Sequence, residues 1–181
     1  ANKPDEDKKD EAPDGENKDE ENKDEQPTED ENNGEDDISL LNDENGTDVW
    51  VGTIAEKFAG GTGTESDPYQ ISNGAELAYL AQQVNGGTTY ADSFFTLTAD
   101  IQLNNDAVPT SGNQWTPIGT SRKKFAGTFD GQGYTISGLY INKASTYQGL
   151  FGYITKDAVI RNLIVTGKVD AGTQTNVGGI V

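Results

Sequence analysis

Gly127-Thr128-Phe129-Asp130-Gly131-Gln132-Gly133-Tyr134-Thr135-Ile136, continuing as Ser137-Gly138-Leu139-Tyr140-Ile141, is the stretch whose reading decides the fold. It strings short β-branched, aromatic and aliphatic runs between glycines, without the 3.6-residue apolar period of a helix. Laid over Ile160-Arg161-Asn162-Leu163-Ile164-Val165 at an offset of 24, Ile136 falls on Ile160, Leu139 on Leu163 and Ile141 on Val165. An earlier, weaker copy, Asp100-Ile101-Gln102-Leu103, places Ile101 and Leu103 38 residues before Leu139 and Ile141. A second landmark, Gly149-Leu150-Phe151, returns as Gly179-Ile180-Val181 at an offset of 30. Strand side chains alternate, so Leu139, Ile141, Leu163 and Val165 are predicted inward and Tyr140 and Ile164 outward. Repeats of roughly 20–30 residues built from short strands and glycine turns predict a β-solenoid, each inward aliphatic lying over its equivalent in the next coil. The alternative is a β-sandwich, which would need longer alternating strands and hairpin turns.

Working outward, further short β runs are predicted at Phe95–Thr98, Trp115–Gly119 and Gly149–Tyr153. One helix precedes them. Asn73 can cap it and Glu76 completes a capping box. Leu77, Leu80, Ala81 and Val84 make one apolar face, and Asn85-Gly86-Gly87 stops it. Its single stripe suits it to cover the first coil, leaving the C-terminal end of the solenoid open.

Charge divides the chain. Of 181 residues, 31 are Asp or Glu and 13 are Lys or Arg, a net charge of -18. Residues 1–49 hold 21 of the acids and only 5 lysines, with no aromatic residue before Trp50. Such a segment buries too little apolar area to offset its ordering entropy, and is expected to be a disordered acidic spacer. Residues 50–181 form the second unit, the N-terminal part of a β-solenoid, expected to be cut within a repeat. Asp43–Asp48 has some flavour of a calcium loop but lacks the full ligand spacing.

Absences limit the chemistry. With no Cys and no His, disulfides, zinc ribbons, thiol nucleophiles and Ser-His-Asp triads are unavailable, and no cofactor is expected. The acidic balance does not match nucleic acid, and no apolar run reaches the length of a membrane span.

The segments Gly127–Ile136, Gly149-Leu150-Phe151-Gly152 and Ile160-Arg161-Asn162-Leu163 resemble the GLUG-motif family of bacterial surface proteins. The run Gly61-Thr62-Gly63-Thr64-Glu65-Ser66-Asp67-Pro68-Tyr69-Gln70-Ile71 with its helix is similar to the usual lead-in of such domains, and Gly178–Val181 reads as the next copy. The resemblance covers about residues 58–181. It implies a right-handed parallel β-helix, a bacterial extracellular or cell-surface location, and adhesion or display. Similar repeats occur in the non-catalytic N-terminal region of immunoglobulin-A-cleaving metallopeptidases. Gly149, Leu150, Phe151 and Gly152 are then structural motif residues.

For a ligand, Tyr140 is the candidate stacking surface, and Arg122, Lys123 and Lys124, the only basic cluster, could hold an acidic sugar. Tyr134, Tyr147, Tyr153 and Trp115 are expected mainly in a structural aromatic ladder. Asp130, in a turn-like setting, is expected to bond local backbone N–H groups rather than act in catalysis. The functional expectation is a non-catalytic binding or adhesion module for a glycan or protein ligand, followed by further repeats of the same protein. The alternatives are a carbohydrate-active β-helix enzyme, which would want clustered Asp beside a basic residue, and a scaffold region of a larger secreted metallopeptidase.

Overall fold

The computed structural model describes residues 48–181. Residues 1–47 of the acidic segment, with most of the calcium-like stretch, lie outside the described residues. Its last two residues belong with the folded part: Val49 bridges Gln102 in parallel, and the Trp50 N–H donates to the Gln102 carbonyl at 2.8 Å. Strand pairing thus takes in apolar Val49, one residue before the aromatic that marks the composition change.

Among the described residues there are seven strands and one helix: β1 Tyr69–Ile71, α1 Gly74–Gly86, β2 Phe94–Leu97, β3 Ile101–Gln102, β4 Thr128–Asp130, β5 Thr135–Asn142, β6 Val159–Arg161 and β7 Ile164–Asp170. They form two sheets, β1-β2-β4-β6 and β3-β5-β7, and every strand pair is parallel. The chain therefore passes from one sheet to the other at β2–β3, β4–β5 and β6–β7. A third line of parallel contacts joins Ile118 to Phe151 and Gln148 to Val177. Among the described residues no helix is long and apolar enough to cross a membrane.

The predicted register is corrected. Ile136 lies opposite Ile101 and Val165, not Ile160, and Ile141 lies opposite Val169, not Val165. Ile160 pairs with Phe129 in the other sheet. Leu163 is not a strand partner of Leu139, whose place is opposite Gly167. The cause is local. Gly138 has φ +72° and sits in a register shift between Ile136 and Leu139, which turns both side chains inward although they are three residues apart. The offset of 30 survives in the third line, where the N–H groups of Leu150 and Phe151 donate to the carbonyls of Gly179 and Ile180 at 3.1 and 2.8 Å. Facing also follows the prediction. Leu139 and Ile141 are core, Leu163 and Val165 pack against it, and Ile164 is exposed.

A run of phenylalanines passes through a core otherwise built mainly of aliphatic side chains. Ring centroids lie 5.7 Å apart for Phe95–Phe125, 5.3 Å for Phe125–Phe151 and 5.5 Å for Phe151–Phe129. All four rings are fully buried. Such pairs add about 0.5–1.5 kcal/mol each beyond their area.

Helix α1 stands in the crossover from β1 to β2. The Asn73 side chain accepts from the Glu76 N–H at 3.0 Å. The Glu76 carboxylate accepts from the Ser72 N–H at 2.7 Å and the Ser72 hydroxyl at 3.0 Å, so the box closes one residue earlier than the usual pattern. Leu77, Leu80, Ala81 and Val84 are buried. At the other end Asn85 donates to the Pro117 carbonyl and accepts from the Gly119 N–H, both at 3.0 Å. These are backbone groups on the outer edge of the third line, and α1 supplies their partners.

Candidate functional site

Tyr140 points away from the core, as the alternation of β5 requires, but it is only 7% exposed. The segment from Asn104 to Gln114 crosses over it. Asn104 donates to the carbonyls of Asn113 and Gly138 at 3.0 and 2.7 Å. Gln114 accepts from the Asn142 N–H at 3.1 Å, and the Tyr140 hydroxyl donates to the Thr110 carbonyl at 3.1 Å. The ring is a floor for this loop, so its candidacy as a stacking surface is corrected. Period-two patterning reports which face a residue takes and is blind to a loop laid across that face.

The basic cluster sits on a turn closed by reciprocal Thr120–Lys123 backbone bonds of 2.7 and 3.1 Å. Lys123 Nζ donates to the Gly86 carbonyl at 3.1 Å, where the free carbonyls of α1 attract a cation. Lys124 Nζ lies 4.7 Å from the Tyr153 ring centroid, a cation–π contact. Arg122 is exposed and forms no ion pair among the described residues. The cluster is thus split into two anchored lysines and one outward guanidinium.

Beside this turn lies a groove of about 590 Å³, whose walls include Gln114, Thr116, Thr120, Ser121, Lys143 and Tyr147. Lys143 is exposed and is held at the end of β5 by its N–H bond to the Asp170 carbonyl at 3.0 Å. Tyr147 packs against Tyr153 at a tilt of 56°, with ring centroids 5.0 Å apart, and also walls a second hollow of about 370 Å³ with Asn176 and Val177. Its φ is +60°, an unfavourable conformation for a bulky residue, imposed by the fold. No Asp or Glu lines either hollow. Hydroxyls, amides, an aromatic edge and the Lys143 ammonium suit an oxygen-rich, anionic ligand. Tyr134 is exposed outside this groove, and Trp115 is core, edge-on to Trp50 at 5.6 Å.

Gly149, Leu150, Phe151 and Gly152 directly follow Gln148, which lines the groove. Leu150 and Phe151 are fully buried. A Cβ on Gly149 would stand 2.8 Å from the Gly178 carbonyl oxygen, and one on Gly152 2.6 Å from that of Gly119. The two glycines let adjacent passes of backbone touch, and the apolar pair between them fills the core.

Asp130 is 7% exposed and accepts from the Gln132 N–H at 2.9 Å, Arg161 Nε at 2.7 Å and Asn162 Nδ2 at 3.0 Å. The bond to Gln132 is the expected turn contact, and the other two tie β4 to β6. Burial pushes its carboxyl pKa up. The Gln132 N–H, the Asn162 amide and the Arg161 guanidinium together outweigh burial and hold it below the ordinary carboxylate value. A carboxyl depressed by folding contributes stability above its unfolded pKa and loses it as pH falls through the folded value. Asp130→Ala is expected to cost about 1–3 kcal/mol near neutrality. The gap to wild type should narrow in urea unfolding repeated at successively lower pH, below the ordinary aspartate value. A gap independent of pH would exclude the charged form as its source.

Beyond Glu76, three further acids of the folded part have side-chain partners. Asp100 accepts from the Thr135 N–H at 2.7 Å, Asp170 from the Gly172 N–H at 3.1 Å, and Asp157 pairs with Lys156 at 2.7 Å. Among the described residues no three Asp or Glu side chains gather as a metal cluster would require.

Over 111 residues the chain is 39% identical to a protein of Evansella cellulosilytica named "Putative Gly-rich membrane protein", a match covering 61% of this chain and 12% of that protein. Over 136 residues it is 32% identical to halomucin of Haloquadratum walsbyi, covering 71% of this chain and 1% of halomucin. The chain thus spans a small part of both curated relatives. No protein-family model matches it, and no solved structure matches it.

Proposed function

We propose that this chain is a non-catalytic binding module of the GLUG type, displayed at a bacterial surface, and that its groove holds an acidic glycan. The proposed architecture is a right-handed parallel β-helix whose coils are the β2–β3, β4–β5 and β6–β7 passages. Parallel pairing between all the named strands, with one antiparallel bridge from Gly60 to Gln70, and alternation between two sheets support it, since hairpin-built sandwiches pair antiparallel. A relative named as a membrane protein and another whose name contains mucin support a surface setting.

The observation that carries the ligand class is the groove itself. In a chain of net charge -18, its lining has hydroxyls, amides and Lys143 but no carboxylate, with Arg122 directly after Ser121. Polyuronates or sulfated glycans meet complementary charge there. The full chain should bind polygalacturonate or a sulfated galactan in calorimetry, more weakly as salt rises. The double change Arg122→Glu and Lys143→Glu should weaken binding by about tenfold or more, equal to about 1.4 kcal/mol, with the unfolding midpoint preserved. Binding indifferent to both substitutions and to salt would remove the groove from the proposal. Release of new reducing or unsaturated ends would replace it with the enzyme reading.

A further inference from the structure

A third hollow, of about 430 Å³, is lined by Lys57, Phe58, Tyr69, Tyr79, Tyr90 and residues 59–61. It shares no lining residue with the groove. We infer that it is an independent carbohydrate site that takes a neutral pyranose ring.

The site is assembled from four separate places. Tyr69 opens β1, Tyr79 projects from α1, Tyr90 lies in the turn between α1 and β2, and Phe58 lies on the segment ahead of β1. That segment is fixed by backbone bonds from the Ala59 N–H to the Gln70 carbonyl and from the Gln70 N–H to the Gly60 carbonyl, at 3.0 and 2.9 Å. Phe58 is the hub. Its ring centroid is 4.8 Å from that of Tyr69, 5.0 Å from Tyr79 and 6.2 Å from Tyr90. All four rings are half-buried, so each keeps part of its surface open. Among the described residues the one tyrosine hydroxyl with a protein partner is that of Tyr140. The phenols of Tyr69, Tyr79 and Tyr90 are therefore available as donors and acceptors.

Two features of Tyr90 support a built site. Its φ is +56°, a conformation a bulky side chain adopts only when its surroundings impose it. They do so here: the Ser93 N–H donates to the Tyr90 carbonyl at 3.1 Å, and Gly127 leaves room where a Cβ would stand 2.9 Å from that oxygen. Burial, with Tyr79 and Tyr69 nearby, raises its phenol to about 12.

A pyranose has apolar C–H faces that stack on aromatic rings and an equatorial belt of hydroxyls, which the three phenols can bond. The volume lies within the roughly 300–1,000 Å³ of small-molecule sites. No carboxylate lines the hollow and Lys57 stands at it, which disfavours the quaternary ammonium ligands that aromatic cages otherwise take.

The test titrates the full chain, with its tyrosines ring-labelled with carbon-13, against neutral gluco-, manno-, galacto- and xylo-oligosaccharides, with tetramethylammonium as control. At least one sugar series should move the Tyr79 and Tyr90 ring signals. Tyr79→Ala should weaken that binding about tenfold or more, and Tyr79→Phe, which keeps the packing, should weaken it less. Arg122→Glu with Lys143→Glu should leave it unchanged, which separates this site from the groove. Ring shifts with no sugar, shifts that survive Tyr79→Ala in a folded variant, or a response to tetramethylammonium alone would overturn the inference. Should Tyr79→Ala unfold the chain, Tyr79→Phe decides: sugar affinity equal to wild type overturns it.

Discussion

Phe151→Ala is expected to cost about 3–5 kcal/mol, the range for truncating a fully buried aromatic. Phe151 touches two neighbours in the core, at 5.3 Å from Phe125 and 5.5 Å from Phe129. Its backbone also joins Ile118 on one side and Ile180 on the other. The cavity would open between three passes of backbone that hydrogen bonds hold apart, so collapse around it is limited. Leu163→Ala, at a half-buried position packed on the edge of the same core, should cost less, about 1–2 kcal/mol, because less surface is removed from water there. Denaturant unfolding of the two variants checks the order. Equal losses, or a greater loss at Leu163, would show that the core is centred elsewhere.

Gly119→Ala is expected to destabilise by about 2–5 kcal/mol, combining a left-handed backbone penalty of about 1–2 kcal/mol with overpacking of about 1–3 kcal/mol. Gly119 has φ +88°, and an added Cβ would stand 2.3 Å from the Tyr153 carbonyl oxygen. That oxygen accepts from the Phe125 N–H at 3.1 Å, so it cannot retreat without breaking the contact that positions the basic turn. Gly86→Ala is the matched control. Its Cβ would meet nothing within 4 Å, and the site ends α1, so a gain of about 0.4–1 kcal/mol is expected. Thermal unfolding of both variants should move in opposite directions. A tolerated Gly119→Ala would mean that this backbone approach is looser than described.

What the sequence determined by itself is what depends on neighbours along the chain. The Asn73 cap and Glu76 needed only their spacing. The inward setting of Leu139 and Ile141 and the outward setting of Tyr140 needed only the two-residue period. The turn bond from the Gln132 N–H to Asp130 needed only two intervening peptides. The tertiary structure alone decided register, cover and convergence. Register turned on the irregularity at Gly138 and on unequal connections, so Ile136 met Val165 rather than Ile160. A one-dimensional alignment cannot place such a shift, because aliphatic residues fit either partner equally well. Cover turned on the Asn104–Gln114 loop, whose bonds bury Tyr140. Convergence turned on Phe58, Tyr69, Tyr79 and Tyr90, unremarkable one by one and separated by ten or so residues each. They make a site because the crossover through α1 returns the chain beside β1, and only packing in three dimensions sets that return.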